Sequence, residues 1–175
     1  EIDPEVARMA ADPSRFSFLA GCAPTARIVL GDARLTLADA APASLDLIVV
    51  DAFSSDAIPV HLMTTEAIAL YQSKLRTGGA ILFHISNRNM DLGPVVTATA
   101  HARGLATWIR PTNQTPELMA QRKYTPHVAI VARHPEDLGL PAEQGWVAQS
   151  GPGPARAWRD DYADVIGAIW RKLAP

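Results

Sequence analysis

Short apolar runs alternate with amphipathic stretches along most of the chain. Leu45 to Val50, Leu-Asp-Leu-Ile-Val-Val, is the clearest strand, ending at Asp51. Ala80 to Ile85 is a second, ending in Ser86-Asn87-Arg88. Near-continuous apolar, β-branched runs of this length mark strands buried on both faces of a parallel sheet. Arg27 to Leu30 reads as a further strand closing on Gly31-Asp32, and Leu105 to Ile109 and His127 to Ala132 as two more.

Helical stretches fall between these runs. Pro4 suits the first turn of a helix reaching Ala11, because its missing N–H costs nothing there. Ala33 to Ala40 is a short helix. Thr64 or Thr65 can cap one that reaches Leu75, with Leu70 and Leu75 on its apolar side and Thr77-Gly78-Gly79 ending it. Asp91 to Arg103 is another, with Pro94 in its first turn. Asp160 to Leu173 reads as a terminal amphipathic helix with Tyr162, Val165, Ile166, Ile169, Trp170 and Leu173 apolar. Arg110 to Pro126 and His134 to Arg156 read as connections. The alternation predicts an α/β fold with a mostly parallel sheet and helices on both faces. A single domain over residues 1–175 is expected, with a core at 1–132 and a C-terminal loop and helix at 133–175.

In such sheets ligands sit beyond the carboxyl ends of the strands. That rule selects Asp32, Asp51 and Ser86-Asn87. Glu1 joins them if a strand lies upstream of it.

Composition narrows the classes. The 175 residues are 48% hydrophobic and 19% charged, enough apolar content for a core and too much for disorder. A net charge of −2 without any extended basic block gives no footprint for nucleic acid. Cys22 is alone, so no intrachain disulfide forms and nothing signals an oxidising compartment; a lone Cys of this kind is most often a buried small hydrophobe. No apolar run approaches the roughly 20 residues of a membrane span.

The ordinary roles of the selected residues are specific. Asp51 can cap the turn after a strand, and Asp56 after Ser54-Ser55 is standard turn chemistry. Asp32 can cap the helix beginning at Ala33. Glu1, at a chain terminus, is prone to fray. His61 stands in the loop after Asp51, where a lone His is commonly solvated, and His84 within a strand reads as a satisfied core histidine. His101, His127 and His134 show no metal-ligand spacing with Cys22 or one another, so no metal is expected. Ser54 and Ser55 lack the Gly-x-Ser-x-Gly elbow of a hydrolase.

Glu1-Ile2-Asp3 before a helix, then Gly31-Asp32-Ala33, then Leu45 to Asp51, together resemble the spermidine synthases in order and spacing. The resemblance covers Glu1 to Ala132. It implies a Rossmann-like fold of the methyltransferase type, whose first strand and glycine-rich turn would precede Glu1. It implies that Glu1 holds the ribose hydroxyls of a nucleoside, and that Asp32, in the Gly31-Asp32-Ala33 step, contacts the adenine amino group. Asp51 and Asp56 would then bind and activate the attacking amine. Their spacing is wider than the family's usual Asp-x-x-Asp. Asp51 through Leu62, with Pro59-Val60-His61-Leu62, and Trp158-Arg159-Asp160-Asp161-Tyr162 look more like the divergent branch, some of whose members are fused to membrane segments.

Such an enzyme uses decarboxylated S-adenosylmethionine as co-substrate and a diamine such as putrescine as acceptor, and makes spermidine and methylthioadenosine. A homodimer and a cytoplasmic location go with the family, the latter also as the cytoplasmic domain of a membrane protein. Two alternatives stand beside this expectation. One is a methyltransferase using S-adenosylmethionine itself. The other is a non-catalytic soluble module of a larger membrane protein.

Overall fold

The computed structural model describes residues 1–52, 59–111, 115–123, 126–138 and 145–173. The chain separates into two compact units, Glu1–Ala41 and Pro42–Pro175.

The first unit holds three short helices, α1 (Pro4–Ala11), α2 (Phe18–Cys22) and α3 (Ala33–Ala38). Asp3 caps α1 by accepting the Glu5 N–H, and Pro4 fills the first helical position as the sequence requires. Arg27–Leu30, expected as a strand, is not one. What exists there is one rung: the Glu1 amino group donates to the Val29 carbonyl at 3.0 Å, and the Gly31 N–H donates to the Glu1 carbonyl at 2.9 Å. That is the bonding pattern of a parallel pair, without enough rungs to make a ladder. No residue of this unit is buried, and Cys22, expected inside, is exposed.

The second unit is built on a five-stranded sheet. Its strands are β1 (Leu45–Val50), β2 (Leu75–His84), β3 (Ala106–Arg110), β4 (Val128–Ala132) and β5 (Val147–Ala148), in the order β1-β2-β4-β3-β5. Helices α4 (Thr65–Lys74) and α5 (Gly93–His101) link the first three strands, α6 (Pro116–Ala120) follows β3, and α7 (Val165–Leu173) ends the unit. The α/β class holds. The expected mostly parallel sheet is instead mixed, with β1 and β2 parallel and the β2–β4, β3–β4 and β3–β5 pairs antiparallel. The reason is connectivity. Strands β1, β2 and β3 are joined through helices that carry the chain back to the same edge, so they run the same way. Strand β4 follows β3 after the short α6 and inserts between β2 and β3 in the opposite direction.

Packing follows strand parity. Ile48, Val50, Ile81, Phe83, Ala129 and Val131 are buried on one face. Helix α4 covers them with Ala67, Ile68 and Tyr71, whose ring centroid lies 6.4 Å from that of Phe83. Helix α5 lies on the same face, close enough that a Cβ on Gly93 would meet Ile109 at 3.1 Å. On the opposite face Ala80, Ile130 and Ala132 are packed by Trp108, Leu138 and Trp146. Leu47 and Val49 of β1 are exposed there.

Several element boundaries differ from expectation, most of all around Thr77-Gly78-Gly79 and at the start of the last helix. Helix α4 ends at Lys74, and Thr77-Gly78-Gly79 lies inside β2. The pairing jumps from Leu45↔Leu75 to Leu47↔Ala80, so extra residues are extruded from β2. Gly78 accommodates this at φ +77, and Gly79 does so by close approach, since a Cβ there would sit 3.0 Å from the Asp46 carbonyl oxygen. Helix α7 starts at Val165 instead of near Asp160. The preceding Trp158–Tyr162 is a tight bridged turn docked on the helices: the Thr65 N–H donates to the Trp158 carbonyl (2.8 Å), the Trp158 N–H to Thr99 Oγ1 (3.2 Å), and Thr64 Oγ1 to Asp160 (2.7 Å). Trp158 is 1% exposed. By contrast Ile166, Trp170 and Leu173 of α7 face outward. No helix among the described residues is long and apolar enough to cross a membrane.

Candidate functional site

The expected site residues fall into two groups. In the first unit, the Glu1 backbone is tied to Gly31 by the rung described above, which brings Glu1 and the Gly31-Asp32-Ala33 step together. The Glu1 carboxylate accepts the Asp3 N–H through Oε1 at 3.0 Å. Gly31 adopts φ +130, where a side chain would be strained and its Cβ would stand 3.0 Å from Thr36 Cγ2. Asp32 caps α3, Oδ1 accepting from the Arg34 and Leu35 N–H groups at 2.9 and 3.0 Å. Its ordinary capping role is therefore real. Ala33 is the first residue of that helix.

In the second unit, Asp51 follows the last residue of β1. The register Val50↔Phe83 carries it alongside His84, the last residue of β2. His84 Nδ1 lies 2.6 Å from Asp51 Oδ1, and His84 Nε2 lies 2.8 Å from Ser86 Oγ. Ser86 Oγ in turn accepts the His127 N–H at 2.8 Å. Asp51 is thus held by a hydrogen-bonded chain across the carboxyl ends of β1 and β2. Asp56 lies outside the described residues.

Asn87, also selected by the strand-end rule, accepts the Asn89 and Met90 N–H groups at 2.8 and 2.7 Å and serves the turn after β2. His61 lies exposed in a single 3-10 turn, Val60–Leu62.

Sequence reasoning missed His84 and Ser86 as partners of Asp51. The available signal was their spacing. Residues i and i+2 of one strand share a face, and a residue at the end of the neighbouring parallel strand shares it too once the register is known. The register is the part a sequence does not print.

His127, half-buried beside this chain, has its pKa pushed down from 6.5, chiefly by burial, with Lys172 and His84 adding to the effect and Asp91 opposing it. A histidine depressed on folding binds fewer protons in the native than in the unfolded chain, so stability is full above about pH 6.5 and falls as pH drops through the folded value. Urea midpoints measured from about pH 7.5 down to about pH 5 should therefore decline, and His127→Gln should flatten that decline. Equal slopes in the two proteins would remove His127 as the source. Among the described residues no group of three or more His, Cys, Asp or Glu could hold a metal ion.

No protein-family model matches the sequence, and no curated protein matches it. Solved structures do match. A probable spermidine synthase from Corynebacterium glutamicum superposes with a TM-score of 0.62 at 19% identity, over 94% of this chain and 63% of that one. Spermidine synthase from Thermotoga maritima gives 0.51 at 12% identity, over 99% of this chain and 58% of that one. The chain thus spans under two thirds of either structure. On that basis the chain has the Rossmann-like, methyltransferase-type α/β fold of these structures.

Proposed function

We propose that this protein transfers an aminopropyl group from decarboxylated S-adenosylmethionine to a diamine such as putrescine. The observation that carries the reading is Asp51: an outward-facing carboxylate at the carboxyl end of β1, 58% exposed, where open α/β sheets place ligand contacts. The fold shared with a probable spermidine synthase and a spermidine synthase supports it, as does the pairing of Glu1 with the Gly31-Asp32 step in the first unit.

The reaction is a displacement at carbon. The neutral amine nitrogen attacks the carbon bonded to the sulfonium. The carbon–sulfur bond breaks, its electrons neutralise the sulfur, and methylthioadenosine leaves. An amine is mostly protonated at neutral pH, so a carboxylate has to bind it and take up a proton. The remaining work is alignment of nitrogen, carbon and sulfur. In this reading Asp51 binds the amine and takes the proton, with Asp56 as a second ligand. Glu1 accepts from the ribose hydroxyls and Asp32 from the adenine amino group.

A homodimer and a cytoplasmic location belong to the same proposal, in a parent protein with or without membrane segments. The exposed Ile166, Trp170 and Leu173 of α7 support an assembly.

Calorimetric titration with methylthioadenosine, decarboxylated S-adenosylmethionine and S-adenosylmethionine tests the reading. Preference for the decarboxylated form over the carboxylated one is the expected result. The reverse preference would indicate a methyltransferase. Binding of none of the three would favour a non-catalytic module.

A further inference from the structure

His127, Ser86, His84 and Asp51 form one hydrogen-bonded chain with a direction. It starts on backbone: the His127 N–H donates to Ser86 Oγ. With a lone pair so engaged, the Ser86 hydroxyl proton is placed to donate to His84 Nε2 at 2.8 Å. An ionised carboxylate can only accept, so the 2.6 Å contact to Asp51 Oδ1 requires the proton on His84 Nδ1. With Nδ1 committed as the donor to Asp51, a neutral imidazole leaves Nε2 to accept the Ser86 hydroxyl proton. The strands fix the geometry. The β1–β2 register sets Asp51 beside His84, and the Ile85 N–H donates to the His127 carbonyl at 2.9 Å, holding the β4 entry against the end of β2.

The connectivity is that of a nucleophilic Ser-His-Asp triad, but exposure runs the other way. In a triad the carboxylate is buried and supports an accessible serine. Here Asp51 is 58% exposed, His84 29%, and Ser86 is the half-buried end pinned to backbone. The group presented outward is the carboxylate.

We infer that His84 is a positioning residue for Asp51: locked as the Nδ1–H tautomer by Ser86, it holds one carboxylate oxygen and so sets the direction in which the other meets a bound amine. The inference rests on the reading of Asp51 as the amine-binding carboxylate. A carboxylate on an exposed strand end otherwise turns freely about two side-chain bonds, and a ligand has to overcome that entropy. A second-layer donor removes the cost in advance, as it does for orienting partners at other polar sites.

Two measurements test it, one independent of any ligand. Nitrogen-15 spectra of the histidine rings, with His84 assigned from the His84→Asn spectrum, should show Nδ1 protonated in the native chain. A bare Nδ1 with the proton on Nε2 overturns the inference. Ser86→Ala should weaken the Nδ1–H preference, and an unchanged tautomer there would remove Ser86 from the chain. The second measurement is putrescine affinity, read by calorimetry in parallel with methylthioadenosine. His84→Leu should lose roughly tenfold or more for putrescine, the scale of one charge-assisted hydrogen bond, with methylthioadenosine affinity kept. His84→Asn, whose amide N–H stands near the Nδ1 position, should recover most of that loss. A purely structural role would weaken both ligands together in both variants, and unchanged putrescine affinity in a folded His84→Leu would overturn the inference. If the native chain binds neither ligand, the transfer reading fails while the tautomer still decides what His84 does to Asp51.

Discussion

Asp51→Asn is expected to lower the rate of aminopropyl transfer about 10²–10⁴-fold, the usual contribution of a positioned proton acceptor. Methylthioadenosine affinity should stay within a few-fold of the native value, because the nucleoside contacts are assigned to Glu1, Gly31 and Asp32. Asn is close to isosteric with Asp, and its amide oxygen can still accept from His84 Nδ1. The fold and the hydrogen-bonded chain therefore have a way to survive while the charge that binds an ammonium and takes its proton is gone. Steady-state kinetics with putrescine, beside a nucleoside titration, separate the two roles. A variant that turns over normally would return Asp51 to the ordinary role of a residue ending a strand, and with it the proposed chemistry would fall. A variant that loses nucleoside binding as well would point to a general disturbance of the strand ends.

Trp158→Ala is the second large effect, and it concerns stability. Trp158 is 1% exposed and among the largest fully buried side chains. Truncating a buried Trp to Ala removes its transfer free energy and leaves a cavity, a cost of about 3–5 kcal/mol. The Trp158 backbone adds bonds to both covering helices, to Thr65 of α4 and Thr99 of α5. Its Nε1 is buried without a partner among the described residues, so the indole is held by packing. Trp158→Phe, which keeps most of the apolar bulk and removes that unpaired N–H, should cost far less. Urea unfolding of the three proteins orders them. A Trp158→Ala midpoint equal to the native one would mean that the 158–162 turn is not part of the cooperative unit.

How much of the site was legible can be followed residue by residue. Asp51 and Ser86 were accessible because each directly follows an apolar run, and the carboxyl ends of such strands are where α/β folds bind ligands. Asp32 carried two compatible meanings, and the structure displays one of them, the cap on α3. His84 was read as a satisfied strand histidine, but its partners were not legible, because a strand position says only which face a side chain takes and Asp51 lies 33 residues away. His127 and Ser86 are 41 residues apart, and their contact exists because β4 inserts next to β2.

The cores of β1 to β4 were written in the chain, whereas Arg27–Leu30 was not a strand and β5 was not foreseen. Leu45–Val50 needs nothing beyond its β-branched apolar run, and α1, α4 and α5 announce themselves through Pro4, Thr64 and Pro94 at their starts. These are local preferences, set by backbone sterics and by hydrogen bonds within a few residues. Strand order and direction were not local. Nothing in Val128–Ala132 states that it runs antiparallel between β2 and β3, because an apolar strand pairs acceptably either way and only the surrounding connections choose. The extrusion at Gly78-Gly79 has the same origin, since the glycines look like a helix stop until β1 approaches within 3.0 Å of where a side chain would be. Sequence determined where β1 to β4 and the longer helices form and which carboxylate stands at a strand end, but not that Arg27–Leu30 is no strand or that α2, α6 and β5 exist. Tertiary structure decided what stands beside that carboxylate, because register and strand insertion bring together residues that no short-range rule connects.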